Sequence, residues 1–126
     1  MLFRSAETGT LRILEEQLRS SGNRYWAAQV SILNGELMAW TAEAAKQRDD
    51  ALAVMSRAAD EEDAMEKLPV TPGPILPARE QLGYLLLEQR ELCRARKEFE
   101  TSLLFAPGRR GALAGASHAA ELCGQN

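Results

Sequence analysis

The single histidine of the sequence, His118, is where base-assisted chemistry would have to start. A serine- or cysteine-type hydrolase needs a nucleophile, a base and an orienting group, and Cys123, five residues after His118, is not placed to share one turn with it. His118 and Glu121 stand at i,i+3, one pair of metal ligands at most. The carboxylate bundles that hold two irons use Glu-x-x-His twice, and a second histidine does not exist. The run Asp60-Glu61-Glu62-Asp63 lacks the alternating, loop-borne carboxylates of a calcium site and reads as a solvated helix face. Gly73 is wedged between Pro72 and Pro74, and Gly108, Gly111 and Gly115 lack a following Lys-Ser/Thr, so no phosphate-cradling loop is present. Cys93 and Cys123 have neither CxxC nor metal-knuckle spacing and read as reduced thiols of a cytoplasmic protein. The expectation is a non-catalytic chain with no metal and no cofactor.

Composition bounds the rest. With 126 residues, 45% hydrophobic and 26% charged, the chain is expected to bury one core as a single soluble domain. A net charge of −3 and a pI near 5.2 argue against nucleic acid, which needs a basic field. Residues 1–70 carry 8 Lys/Arg against 12 Asp/Glu, and residues 71–126 carry 7 against 6, an asymmetry that bears on partners rather than fold. The opening MLFRSAETGT has no apolar core of signal-peptide length. The longest apolar runs, 84–87 and 103–106, are far too short for a bilayer, so no membrane is implied.

Helical periodicity organises most of the chain. Residues 5–20 place Leu11, Leu14 and Leu18 on one face, with Glu15 and Arg19 spaced as an i,i+4 pair. Ser20-Ser21-Gly22-Asn23 ends this helix and begins the next. From 24 to 47 the apolar positions Trp26, Val30, Leu33, Leu37, Trp40 and Ala44 recur in steps of 4 and 3, a helix about 36 Å long. Asp49-Asp50 is suited to cap a further helix that carries Ala51, Leu52, Met55, Ala58, Ala59 and Met65 and runs to about Lys67. Residues 69–77 hold four of the five prolines and must be extended, as a spacer or as a recognition surface. Pro77 suits the first turn of a helix to Gln89, a return helix follows to Phe105, and Pro107 closes it.

Within 77–107, Leu82-Gly83, Leu86, Ala95, Phe99, Ser102 and Pro107 fall at intervals that resemble a tetratricopeptide repeat, a helix-turn-helix unit of about 34 residues. The resemblance implies an all-α fold, a right-handed superhelix of antiparallel helix pairs with six helices. These are an N-terminal helix (5–20), a degenerate first repeat (24–67) with Asp63 where the closing proline belongs, a Pro-rich loop (68–76), a second repeat (77–107) and a capping helix (108–124). Arg109 and Arg110 bring positive charge to the start of that cap, which the helix dipole disfavours.

In such arrays the first helix of each pair lines a concave groove. Trp40, Tyr84 and His118 share one register position in three successive units. Glu43, Leu87 and Glu121 share the next such position, and Glu36, Glu80 and Ala114 another, with Leu37 beside Trp40 on the apolar stripe. The resemblance thus implies a protein or peptide partner with apolar anchors and basic groups. The competing reading is that the rings only pack against neighbouring helices. The long helix 24–47 is apolar on two sides and must be covered on both. The N-terminal helix, a foreign peptide or a second copy would do so, the last making the chain a structural homodimer.

Overall fold

Turn chemistry explains most of the architecture. The structure, a computed structural model, describes residues 2–66 and 73–125, with side chains from residue 6 onward. Its elements are α1 (Leu2–Ser20), α2 (Arg24–Ala44), α3 (Arg48–Asp63), α4 (Ala78–Glu88), α5 (Leu92–Phe105) and α6 (Arg110–Cys123), with no strand among the described residues. The expected all-α class and the count of six helices are met.

Three of the five connections close in the same way. Gly22, Lys46 and Arg90 take positive φ (83°, 61° and 63°) just past the ends of α1, α2 and α4. After each, two backbone N–H groups fold back on the helix: Gln47 donates to Ala42 and Lys46 to Glu43, and Glu91 donates to Leu86 and Arg90 to Leu87. Asn23 and Gly22 do the same to Leu18 and Arg19. This double closure satisfies carbonyls that would otherwise lack partners and reverses the chain within a few residues. It stops α2 at Ala44, short of the expected Gln47. α3 ends at Asp63, not near Lys67, as Ala64 and Met65 donate to Asp60 and Glu62; Lys67 and residues 68–72 of the loop lie outside the described residues. Asp49 and Asp50 sit in the first turn of α3 behind Gln47, so they complement the dipole rather than cap. Pro77, extended at φ −58° and ψ 142°, precedes α4 instead of starting it.

Each helix packs on its successor. α4 also touches both α2 and α6. The core runs through Ile32, Ala39, Met55, Ala58, Leu82, Leu85, Leu86, Ala95, Phe99 and Ala119. Phe99 is its centre, because both neighbouring helices present glycine to it. A Cβ on Gly83 of α4 would come within 2.7 Å of the ring, and one on Gly115 of α6 within 2.5 Å. Only glycine admits backbone that close. α6 therefore docks through the small residues Ala112, Gly115 and Ala119. α1 packs on α2 with Leu11 and Leu18 half-buried, while Leu14, expected on that face, is exposed together with Ile13.

The cysteines require a correction. Cys93 and Cys123 are joined in a disulfide, with Cα atoms 5.1 Å apart. Sequence spacing suggested no pairing because it is hairpin geometry that brings them together: they are equidistant from Gly108, at the turn between α5 and α6. The reduced-thiol reading falls, and with it the cysteines' support for a cytoplasmic location. No helix among the described residues is long and apolar enough to cross a membrane.

Candidate functional site

The expected groove residues distribute over α2, α4 and α6, and the structure spends several of them internally. Trp40 is half-buried and its Nε1–H donates to Gln81 Oε1 on α4 at 2.9 Å. Tyr84 donates its hydroxyl proton to the Gly111 carbonyl at 3.0 Å, and its ring meets Phe99 edge-on at 5.0 Å. Both rings therefore lie in seams between helices. Glu43 accepts from Gln89 Nε2 at 2.7 Å. Leu37 and Leu87 are half-buried. His118 and Glu121 stand exposed on α6, with no hydrogen bond or ion pair to the other six groove residues.

Glu80 is not the surface carboxylate that the register suggested. It is 1% exposed and accepts from Arg109 Nε at 2.8 Å, while Arg109 Nη2 donates to the Ile75 carbonyl at 2.9 Å. The extended backbone at Arg109, just before α6, allows this reach. A positive charge at that helix start is thus explained: it neutralises a carboxylate that the cap itself covers. A buried acid without that partner would cost several kcal/mol, on the order of 3–5. Burial raises the pKa of Tyr84, Glu80 adds to the rise, and Arg109 opposes it.

A second cluster was missed by sequence reasoning. The acidic run at the end of α3 is a solvated face only in part: Asp60 and Glu61 are exposed, yet three of its four members reach the next helix pair. Arg79, at the start of α4, donates to Asp60 Oδ1 (2.6 Å), Asp63 Oδ2 (2.8 Å) and Glu98 Oε2 on α5 (3.2 Å). Burial works against the Arg79 charge, yet its hydrogen bonds to Asp60 and Asp63 and the fields of Asp63 and Glu98 outweigh that and raise its pKa. Glu62 Oε1 accepts the Ala78 N–H at 2.8 Å, supplying the cap that α4 lacks locally. Burial raises the Glu62 pKa against that bond, with Asp63 adding to the rise and Arg109 and Arg79 opposing it. On α2, burial pushes Glu36 up to about 7, the Gln81 side chain pulls the other way, and Glu62 adds to the rise. Asp60 and Asp63, one helical turn apart, are the signal that was available. Nothing local tied them to an arginine beyond the proline loop.

Among the described residues no group of three or more His, Cys, Asp or Glu is placed to hold a metal ion. What the arrangement offers is a flank of α2, α4 and α6 with apolar and acidic groups, and a separate cavity where helix ends converge. No protein-family model, no curated protein and no solved structure matches this chain.

Proposed function

We propose that this chain is a non-catalytic protein-interaction module of tetratricopeptide-like build, its helix pairs wound as a right-handed superhelix, which holds a peptide or protein segment on the flank of α2, α4 and α6. The observation that carries this reading is that α4 touches α2 and α6, while α3 and α5 each pack between consecutive members of that set. Repetition of one turn design at Gly22, Lys46 and Arg90 supports it, as does the burial of Leu82, Ala95 and Phe99 in one seam. On α2, Leu33 is 53% exposed on the stripe it shares with Leu37 and Trp40, and offers an apolar contact. Glu36 and Glu43 on α2 and Glu121 on α6 favour basic side chains over nucleic acid.

Selection of a random peptide library on the immobilised protein tests the proposal. Enriched sequences should combine apolar residues with Lys or Arg, and Leu33→Asp with Leu37→Asp should abolish their capture while helical circular dichroism persists. No enrichment, or equal binding by the double variant, overturns it.

A structural homodimer is the second reading, favoured by one observation: Trp26, on the long helix, is 51% exposed despite α1 packing alongside. A constant mass in light scattering across concentration would remove it. Cytoplasmic residence goes with either reading only where the Cys93–Cys123 bond forms transiently or under oxidising conditions.

A further inference from the structure

A cavity of about 350 Å³ opens where the first turns of α2, the end of α3, the segment 73–77, the start of α4 and the end of α5 meet. Its volume falls at the small end of the range for ligand pockets, roughly 300–1,000 Å³. Gln29, Glu62, Met65, Ser102 and Phe105 are among its walls, together with Arg79 and Arg109. Both guanidiniums already have carboxylates against them, Arg79 those of Asp60, Asp63 and Glu98, and Arg109 that of Glu80, with its Nη2 on the Ile75 carbonyl. An anionic ligand would have to compete with those bonds.

Acceptor capacity is left over on the walls, beside two carboxylates, Glu62 and Glu66. Glu62 Oε1 is taken by the Ala78 N–H, which leaves Oε2. Gln29 donates its Nε2 to the Tyr25 hydroxyl at 3.2 Å, which leaves Oε1. Ser102 is 1% exposed, lines the cavity, and its Oγ has no hydrogen-bond partner. Unsatisfied acceptors in a partly desolvated wall favour a ligand that donates, and the carboxylates of Glu62 and Glu66 favour one that is positively charged.

We propose that this cavity binds an organic cation with a primary ammonium head, whose N–H groups are accepted by Glu62 Oε2 and Gln29 Oε1, and a short alkyl stem packed on Met65 and Phe105. An ammonium carries three donors, one for each of the oxygens of Glu62, Gln29 and Ser102 that have capacity left. Burial already raises the Glu62 pKa, so a positive charge beside its carboxylate is favourable. Such a group comes either from a lysine side chain of a bound segment or from a free alkylamine. The site lies at the helix ends, apart from Leu33 and Leu37, so it does not rest on the flank reading and can fail without it.

The test is an NMR titration of the isotope-labelled full chain with n-butylammonium chloride, with 1-pentanol as the uncharged counterpart, and with N-acetyl-lysine methylamide. Saturable shifts are expected at the Gln29 side-chain amide and the Ser102 backbone amide with the cations and not with the alcohol. Glu62→Gln keeps an oxygen for the Ala78 N–H and should weaken binding about tenfold or more, whereas Glu61→Gln, outside the cavity, should leave it unchanged. Tighter binding of the lysine derivative assigns the site to a segment, and tighter binding of butylammonium to a free amine. Absence of saturable shifts at those groups, equal shifts from the alcohol, or undiminished binding by a folded Glu62→Gln protein overturns the proposal. Should that variant unfold, the contrast between cation and alcohol on the unaltered chain decides alone.

Discussion

Arg79 answers three carboxylates on two helices with one guanidinium, and its side chain is 13% exposed. Arg79→Ala would leave Asp63 and Glu98 half-buried without a counter-charge. The expected loss is about 2–3 kcal/mol, less than for a fully buried pair because Asp60 is largely solvated. Urea denaturation measures it. Glu36 gives the opposite sign. Its folded-state pKa, about 7 against an ordinary 4.5, means that the folded chain holds a proton which the unfolded chain has released. Stability therefore falls as pH rises through that window and is fully reduced above it. Glu36→Gln should match the parent near pH 4 and exceed it at pH 8 by about 1–2 kcal/mol, after discounting for partial solvent screening; paired denaturation curves at the two pH values check this. Neither residue could be given these roles from the sequence, because each depends on partners more than fifteen positions away.

Helices were legible because apolar periodicity is local, and their ends were less so because two of the closing residues are not glycine. Lys46 and Arg90 hold the left-handed conformation that a side chain disfavours, so no punctuation marks where α2 and α4 stop. Lys46→Gly and Arg90→Gly should each raise stability by about 0.5–1 kcal/mol, read as a higher urea midpoint at unchanged slope, since neither side chain has a hydrogen bond or ion pair to lose among the described residues. The seam of the second helix pair was the most legible part: Leu82-Gly83, Ala95 and Phe99 carry their contact in their types and spacing. The groove was less so. Shared register places Trp40, Tyr84 and His118 on alternate helices, but register does not say that Gln81 and the Gly111 carbonyl claim the first two.

At the scale of the molecule, two devices hold the cap: the Glu80–Arg109 pair near its start and the Cys93–Cys123 disulfide at its end. α6 buries only small residues, so packing alone gives it modest apolar area. Cys93→Ser with Cys123→Ser should cost about 2–4 kcal/mol, the range for a bond that closes a loop of this size. Denaturation with and without reductant tests this: the parent should fall to the level of the double variant when reduced, and the variant should not respond. The pairing is readable only once the antiparallel hairpin is known, as is the link from the acidic run of α3 to Arg79, because both join residues that the chain brings together only by folding. The bond also makes everything from Cys93 to Cys123 a covalent ring. A protease that cuts at the Pro107–Gly108 corner would produce a nicked molecule whose two fragments migrate together on a gel until thiol is added.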